Sequence, residues 1–306
     1  MTKYIIKRII AVIPIVIAVT FLTCVMVNIM PGDPARLIAG DMASEQDIAA
    51  VRKKYGLDEP VIKQYAIYIS KILEGDLGMS TRTGRPVIEE IKDRYPATIK
   101  LAVCSIAIAL IFGTIFGILS ATKKYTIIDN IVMFLSLVGV SVPGFYLGLM
   151  LIQLFCVKLD IFPMLYDGTF ATLILAATAL SMQSLATIAR MVRSSMIEVM
   201  NQDYIASARA QGFSENKVIM FNAFKNTLVT LVTVAGMQFG HLMGGAVINE
   251  KVFGRPGLGQ LLVDSINSRD MATIQSSILV ISLSFVLINF IIDILYVYIN
   301  PQIKLD

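Results

Sequence analysis

The sequence carries few side chains that could perform catalysis or hold a metal ion. Its 306 residues include one histidine, His241, and three cysteines, Cys24, Cys104 and Cys156, all within apolar runs. We expect buried, unpaired thiols, because free cysteine behaves as a small core residue. A lone buried histidine is more often hydrogen-bonded to a neighbouring helix than used as a ligand. The chain therefore offers little material for metal or imidazole chemistry.

Motifs for nucleotide and hydrolytic chemistry are also missing. The chain has no G-x-x-x-x-G-K-[ST] phosphate loop and no H-E-x-x-H helix, so we expect no bound cofactor. No serine pairs plausibly with His241. An intramembrane hydrolase is a remote alternative, which loss of all activity on replacing His241 in the isolated chain would support. A membrane scaffold is the alternative from the binding class, and an assay of solute uptake would test it.

One ionisable residue falls at membrane depth in the last apolar run. Asn289 and Asp293 lie one helical turn apart on the same face. An acidic group in such a place is a candidate functional residue. Asp293 is also within two turns of the helix end, where it could bond a loop backbone or a basic residue such as Arg190 or Arg193. Both interpretations stay open.

The composition is that of a polytopic membrane protein. Hydrophobic residues make up 56% of the chain and charged residues 16%, and the mean hydropathy is +0.73. A soluble domain is about 25% charged. The net charge of +4 fits loops near anionic lipid better than nucleic-acid binding, so we expect a lipid bilayer and no nucleic acid as partner.

Six charge-free windows are each long enough to cross ~30 Å of hydrocarbon. We predict that all six are helices, because backbone groups in lipid must pair within their own segment. Ile9–Met30 is too long for a signal peptide and is expected to be the first spanning helix, with Pro14 as a tolerated kink. The windows lie between Arg8 and Asp33, Lys100 and Lys123, Asp129 and Lys158, Asp167 and Arg190, Lys225 and Glu250, and Asp270 and Asp293. The last apolar run continues to about Ile299, with Asp293 inside it.

The distribution of basic residues predicts that both termini are cytoplasmic. With that orientation the short outer loops hold few basic residues, and the inner loops are richer in Lys and Arg, as the positive-inside rule requires. The segment from Pro31 to Lys100 is too long to be counted. The basic residues of the short outer loops are Lys158, Lys251, Arg255 and Arg269.

The outer segment is predicted to be a mixture of helices and turns. It either packs as a helical plug against the edge of the bundle, or it covers the outer mouth or touches an external partner. We expect a turn at Pro31–Pro34, a helix over Ser44–Tyr55 with Ser44 as cap and Asp47 at the third position, and a stop at Gly56. They are followed by a second helix over Val61–Leu73 and by turns at Gly75–Gly78 and Thr83–Pro86. A short helix then runs from Val87 to Arg94 and ends before Pro96.

The stretch Asn201–Leu228 is polar and partly basic, and it lies between two apolar windows. Asp203 can cap a short helix that Gly212 ends in a left-handed conformation, and Ser214 can start a second helix. The predicted apolar sides are Ile205, Ala208 and Ala210 on the first helix, and Val218, Phe221 and Phe224 on the second. Because the first helix is rich in small residues, it is either a docking element for a partner or an ordinary amphipathic loop.

Small residues four apart in the membrane windows predict close helix packing. Such spacings join Gly113 with Gly117 and Gly144 with Gly148. The triple Gly236, Gly240 and Gly244 could also provide a sliding surface for a gate.

The stretch Asn201–Leu228 resembles the cytoplasmic "EAA" loop, E-A-A-x-x-x-G, of bacterial ABC-importer permeases. The core positions fall on Ala206, Ser207 and Ala208 before Gly212, and the Glu is absent. The D-Y-x-x-x-A-R-A-x-G form of the peptide and nickel branch matches Asp203, Tyr204, Ala208, Arg209, Ala210 and Gly212. Asn226 and Leu228 fit the N-x-L-x-P pattern that follows, with Thr230 in the place of the Pro.

Further motifs extend this resemblance over nearly the whole chain. Glu250–Gln260 is similar to the family's segment between the last two helices, and the C-terminal pattern around Asp293, Asn300 and Pro301 is similar as well. The front of the chain matches the dipeptide, oligopeptide and nickel permeases at Gly56–Pro60, Gly75–Gly78, Arg85–Val87 and Pro96–Thr98.

The resemblance implies an all-α membrane protein with six transmembrane helices and the type I ABC-importer permease fold. It implies a first helix plus extracytoplasmic segment over 1–95, a permease domain over 96–300 with a coupling loop at 201–228, and a cytoplasmic tail at 301–306. The expected location is the bacterial cytoplasmic (inner) membrane. The expected partners are a second, homologous permease subunit in a heterodimer, two cytoplasmic ABC ATPases that carry ATP and Mg²⁺, and an extracytoplasmic substrate-binding protein.

The resemblance also implies alternating access driven by the ATPases. Closure of the ATPases would move the coupling loop through Asp203, Tyr204, Ala206, Ser207, Ala208, Arg209 and Gly212. The candidate packing or gate residues are Gly236, Gly240, Gly244 and Asp293. The implied substrates are dipeptides or short oligopeptides, and nickel or a metal chelate is the alternative.

Overall fold

The computed structural model describes residues 2–29, 33–40, 43–164 and 166–299. Their regular structure is helical, with one isolated antiparallel bridge between Met79 and Pro86. The helices are α1 (Thr2–Ile29), α2 (Pro34–Ala39), α3 (Glu45–Tyr55), α4 (Val61–Leu73), α5 (Val87–Thr122), α6 (Ile127–Ser141), α7 (Gly144–Leu151), α8 (Phe170–Met200), α9 (Asp203–Ala210), α10 (Glu215–Lys217), α11 (Phe224–Val252), α12 (Leu258–Ser268) and α13 (Met271–Ile299). Two π-helical stretches, Ile152–Lys158 and Val218–Ala223, extend α7 and precede α11.

Four described helical segments are long and apolar enough to cross a membrane. They contain the second, fourth, fifth and sixth predicted windows. The bent pair α6 and α7 gives a fifth span when it is counted as one. In the first window the described apolar stretch is the shorter Val12–Val25 of α1. The spanning segments are Val87–Thr122, Phe170–Met200, Glu215–Val252 and Met271–Ile292.

The third predicted window is not one continuous helix. α6 and α7 meet at a 105° bend. Val142, between them, has extended backbone angles of φ −82° and ψ 124°, and Pro143 follows it. The ring of a proline disfavours the helical conformation of the preceding residue, and Pro143 has no N–H to continue the α6 ladder. The window between Asp129 and Lys158 is therefore a broken span or a re-entrant segment.

The prediction that a helix ends before Pro96 is wrong, because α5 continues from Val87 through Pro96 to Thr122. Buried side chains hold its first turns in place. Val87 and Ile91 pack in one cluster with Leu258 and Leu261 of α12. One missing backbone hydrogen bond at a proline is tolerated in a long apolar helix when packing compensates for it.

The described chain clusters into two compact units. The first comprises residues 1–98 and 255–287, and it contains the predicted outer helices. α3 has the predicted capping box between Ser44 and Asp47, and Gly56 ends it in a left-handed conformation with φ +61°. α4 covers the predicted Val61–Leu73. The buried Asp270 carboxylate accepts hydrogen bonds from Ser80 Oγ at 2.5 Å and Thr273 Oγ1 at 2.8 Å.

The second unit comprises residues 99–254 and 288–306, and α8 runs through its core. The predicted close packing of the Gly113 and Gly117 pair is confirmed. A Cβ added at Gly113 would lie 2.9 Å from Ile188 Cγ2, and one added at Gly117 would lie 2.6 Å from Val192 Cβ. Both contacts are with α8, so these two glycines allow α5 and α8 to approach closely.

Several predictions fall outside the described residues. These are the Pro31–Gly32 part of the first turn, the C-terminal pattern from Asn300 onward, the tail at 301–306, and the side chain of Asp293.

Candidate functional site: the loop between α8 and α11

The loop begins with the eight-residue helix α9, Asp203–Ala210. Its N-cap is Gln202, with φ −80° and ψ 148°, and no side chain bonds the free N–H groups there. The prediction that Asp203 is the cap is therefore wrong. Asp203 lies in the first turn instead, where its carboxylate interacts favourably with the positive end of the helix dipole.

Two apolar side chains fix α9 to the membrane helices. Ile205 is fully buried and Ala208 is 5% exposed, and both belong to the cluster that contains Ile188, Val192 and Met196 of α8. Ala210 is exposed, contrary to the prediction. It stands five residues after Ile205, about 140° around a helix of 3.6 residues per turn, and so faces away from α8.

Gly212 ends the first helix as predicted. Its φ is +82°, in the left-handed region, and the N–H of Phe213 bonds the carbonyl of Ala208 at 3.4 Å. A Cβ added at Gly212 would meet no atom within 4 Å. The position thus requires glycine for its backbone conformation rather than for lack of space.

The second helix starts after Ser214, as predicted, but its apolar face differs from the prediction. α10 passes at once into the π-helical stretch Val218–Ala223. Val218 and Ala223 are buried, whereas Phe221 is 72% exposed. A π-helix bonds each residue to the fifth residue along. The buried positions therefore recur five residues apart here and not three.

Polar contacts tie the two halves of the loop together. Arg209 Nε and Nη2 donate to the two carboxylate oxygens of Glu215 at 3.1 and 2.7 Å. These bonds raise the pKa of the Arg209 guanidinium above its ordinary value. Asn226 Nδ2 donates to Tyr204 Oη at 2.6 Å. Sequence reasoning missed Glu215 as a partner, because a six-residue separation across a turn gives no periodic signal.

The outward surface of α9 carries small side chains. Ala206 and Ser207 are exposed, next to exposed Asp203 and Tyr204. Most predicted coupling residues thus lie on the free side of one short helix, whereas Ala208 holds the helix from behind. Such a surface lets another backbone approach closely, while Ile205 and Ala208 on the other side pack in the α8 cluster.

An ion pair between a partly exposed arginine and a buried aspartate lies near the end of α8 that leads into this loop. Arg193 Nε and Nη2 donate to Asp129 Oδ1 and Oδ2 at 2.6 and 2.7 Å. The Asp129 side chain is only 2% exposed, and it also accepts bonds from Ser120 Oγ and the backbone N–H of Tyr125. Arg193, expected as a possible partner of Asp293, is thus bonded to Asp129, and this pair ties α5, α6 and α8 together.

The three glycines Gly236, Gly240 and Gly244 of α11 differ in their burial and in the atoms around them. A Cβ added at Gly236 would lie 2.5 Å from Ile292 Cγ2 of α13, and Gly240 is buried. Gly244 is exposed, and an added Cβ would meet nothing within 4 Å. His241 is exposed, contrary to the expected burial, but its Nε2 lies 3.1 Å from Gln183 Oε1 of α8, which confirms the predicted bond to a neighbouring helix.

Within the described ranges, no three or more His, Cys, Asp or Glu side chains are grouped so that they could hold a metal ion.

The fold and the loop define a multi-pass membrane protein of the type I ABC-importer permease class. The family described as "Binding-protein-dependent transport system inner membrane component" matches residues 113–305, and the N-terminal family of the same transport systems matches residues 1–102. The chain belongs to this family. It is a permease subunit of an ABC importer and not an enzyme, and it works with ATPases and a binding protein.

Curated relatives match along the full length. The chain is 42% identical over 304 residues to the glutathione transport system permease protein GsiC of Escherichia coli (strain K12), with 99% of both chains covered. GsiC of Salmonella choleraesuis (strain SC-B67) gives the same identity and coverage. In both cases the similarity extends over the outer helices as well as the membrane segments.

Solved structures support the fold. An inward-facing structure of the MetNI methionine ABC transporter, in its CY5 native crystal form, matches with a TM-score of 0.60 at 18% identity. The match covers 70% of this chain and 97% of that one. A second crystal form, from a SeMet soak, matches with a TM-score of 0.58 at 19% identity.

Proposed function

We propose that this chain forms part of the translocation path for short peptides and couples it to two ATPases through the 201–228 loop. The observation that carries the coupling role is the two-sided construction of α9. Ile205 and Ala208 fix the helix to the α8 cluster, while Asp203, Ala206 and Ser207 stay exposed. An ATPase bound to the exposed side of α9 therefore moves the buried side of the helix with it.

A displacement of α9 is passed to the membrane helices through side-chain hydrogen bonds and an ion pair. The bonds of Arg209 to Glu215 and of Tyr204 to Asn226 join the start of the loop to its end. The Arg193–Asp129 pair then joins α8 to α6. Because packed helices shift as units, closure of the ATPases tilts them between two arrangements. ATP and Mg²⁺ bind to the ATPases, and a second, homologous permease completes the path as a heterodimer.

The orientation follows from the basic residues. The N- and C-termini and the loop lie on the cytoplasmic side of the inner membrane, because the loop and the ends of its flanking helices are rich in Lys and Arg. Arg190, Arg193, Arg209, Lys217 and Lys225 all belong to this region.

The proposed substrates are dipeptides and short oligopeptides, with glutathione as a member of that class. The support is the full-length similarity to proteins named as glutathione transport permeases. A nickel or metal-chelate importer is the second candidate, because the loop motif D-Y-x-x-x-A-R-A-x-G is shared with nickel permeases.

Uptake by the reconstituted complex tests the proposal. Proteoliposomes with both permeases, both ATPases and the binding protein would be supplied with labelled trialanine, glutathione or ⁶³Ni²⁺. We expect ATP-dependent uptake of at least one of the two peptides and none of the bare ion. Uptake of nickel alone would favour the second candidate, and no uptake of either peptide would overturn the first.

A further inference from the structure

Helix α4 of the outer segment packs on α1 within the apolar stretch of that helix. The hydroxyl groups of Tyr65 and Thr20 are hydrogen-bonded at 2.9 Å, and the Tyr65 ring meets the Phe21 ring edge-on with centroids 5.5 Å apart. Thr20 lies about 7–8 Å along the helix axis before the end of the apolar stretch Val12–Val25. The contact therefore holds α4 at the level of apolar chain and not above it.

A second contact, to α13, gives a consistent depth. Gln275 Nε2 of α13 donates to the backbone carbonyl of Thr23 on α1 at 3.2 Å. Gln275 stands about one helical turn into the spanning segment Met271–Ile292. Thr23 is thus level with the first turns of a spanning helix. Thr20, which contacts α4, is about one turn further from that end of α1.

The surface of α4 carries an exposed apolar stripe, formed by Ile62, Ala66, Ile69 and Leu73. Ile62 is 76% exposed and Leu73 is 82% exposed, whereas Ala66 is exposed and Ile69 is half-buried. At ~100° per residue, the four positions fall within about 60° of the helix circumference. Single exposed apolar residues are ordinary, but a continuous stripe of them indicates contact with an apolar partner.

A polar stripe runs along α4 directly beside the apolar stripe. It consists of Lys63 and Ser70 and of Glu74, the residue after α4, and all three are exposed. They lie about 80–120° around the helix from Ile62. Tyr65, which contacts α1, stands beyond the opposite border of the apolar stripe. The exposed surface therefore changes from apolar to polar with increasing distance from α1.

The apolar stripe continues an exposed apolar surface of α1. Phe21 and Ile17 of α1 are 39% and 51% exposed, and both lie next to Tyr65. They belong to the apolar stretch of the first predicted spanning helix. The hydrocarbon that covers these α1 side chains extends to the neighbouring stripe of α4.

Lipid fits the apolar stripe better than a protein subunit does. A permanent subunit interface buries about 2,000 Å² or more, and charged residues are depleted at its centre. The apolar stripe is a single row of side chains, with Lys63 and Glu74 exposed beside it. At a membrane surface, hydrocarbon accepts such a row, while headgroups and water accept the charged ends.

We propose that α4 lies in the interface of the bilayer, with its apolar stripe against lipid hydrocarbon and its polar stripe among headgroups and water. Helices that lie in a membrane surface bury their apolar side by ~5–10 Å, which agrees with the depth of Thr20. On the proposed orientation of the chain this is the outer leaflet. The lipid contact itself does not depend on which substrate the complex transports.

Introduced tryptophans test this placement, because the chain contains none of its own. Two pairs of neighbouring positions put the same indole on the two stripes at nearly the same level along α4. The pairs are Ile62→Trp with Lys63→Trp, and Leu73→Trp with Glu74→Trp. Each variant complex, with both permeases and both ATPases, would be placed in nanodiscs of brominated or unbrominated phosphatidylcholine. The fluorescence of the wild-type complex is subtracted, so that the signal of the other subunits does not enter.

Brominated lipid should quench the indoles on the apolar stripe more strongly than those on the polar stripe. We expect Ile62→Trp and Leu73→Trp to lose roughly twice the fraction of fluorescence that their neighbours lose, because their side chains reach deeper into the bilayer. Acrylamide, which is dissolved in water, should give the reverse order. ATP turnover stimulated by the binding protein shows that each complex has assembled. If a variant of one pair does not assemble, the other pair decides.

Three results would overturn the inference. Equal quenching by brominated lipid within an assembled pair would show that the apolar stripe does not face hydrocarbon. Protection of Ile62→Trp and Leu73→Trp from both quenchers would assign the stripe to the second permease. Quenching by acrylamide that disappears when the binding protein is added would assign it to that protein. Each of these results leaves the proposed peptide transport intact, because uptake tests that separately.

Discussion

Arg193 of α8 and Asp129 of α6 form a two-point ion pair, with N–O distances of 2.6 and 2.7 Å, at the base of the 201–228 loop. Both carboxylate oxygens are in use, because Ser120 and the Tyr125 backbone bond the same group. A buried carboxylate with its bonds satisfied in this way fixes the relative position of three helices. The pair therefore holds α8 to α6 and α5 shortly before the loop begins.

Removing one partner of this pair should destabilise the protein strongly. Arg193→Leu leaves the Asp129 carboxylate buried without its cation, which costs about 3–5 kcal/mol. The measurement is thermal unfolding of the purified complex in detergent. Arg190→Leu, on the same helix, is the control and should have a much smaller effect. Equal losses of thermal stability in the two variants would show that the ion pair does not stabilise the protein beyond what Arg190 does.

Gly212→Val should abolish transport while membrane insertion is retained. A β-branched residue is strained at φ +82°, so the turn between α9 and α10 must rearrange. Gly212→Asn is the matched variant, because asparagine tolerates the left-handed region, and it should retain most of the uptake. ATP-dependent uptake, together with the amount of protein in the membrane, is the measurement. Normal uptake by the valine variant would contradict the coupling role.

Enlarging the exposed surface of α9 should uncouple the ATPases. Ala206 is exposed, so tryptophan there leaves the fold intact but blocks close approach of a partner. Ala206→Ser adds one oxygen atom and should behave like the wild type. The measurement is co-purification of the ATPases with the permease, followed by stimulated ATP hydrolysis. Full co-purification of the tryptophan variant would place the docking surface elsewhere.

The Arg209–Glu215 pair should matter more for coupling than for stability. Both side chains are about half exposed, and exposed pairs contribute only about 0–1 kcal/mol. We expect Arg209→Glu to lower uptake several-fold with little change in the unfolding temperature. The double variant Arg209→Glu with Glu215→Arg restores opposite charges and should recover uptake. A double variant as poor as the single one would show that Arg209 itself touches the ATPase.

Local signals predicted much of the fold. The capping box of Ser44 and Asp47, the stops at Gly56 and Gly212, and the long apolar windows all act within a few residues of the chain. Such signals are readable because their energies do not depend on distant partners. The family motif in the 201–228 loop falls largely on α9.

The rest depends on contacts that are distant in the sequence. α5 continues through Pro96 because side chains of α12 pack against the first turns of α5, whereas α6 ends just before Pro143. The π-helical stretch moves the buried position from Phe221 to Ala223. The Arg193–Asp129 pair joins residues 64 positions apart. No periodicity or spacing within one window encodes these relationships.

The small side chains on the outer surface of α9 have a consequence for the strength of the proposed docking. Protein interfaces draw most of their affinity from a few large anchors, chiefly Trp, Tyr and Arg, that fill pockets on the partner. Ala206 and Ser207 supply no such anchor, and the neighbouring Arg209 and Tyr204 side chains are already bonded to Glu215 and Asn226. Affinity at α9 would therefore come mainly from shape complementarity over a modest area, which suits a contact that must be released and remade in every turnover.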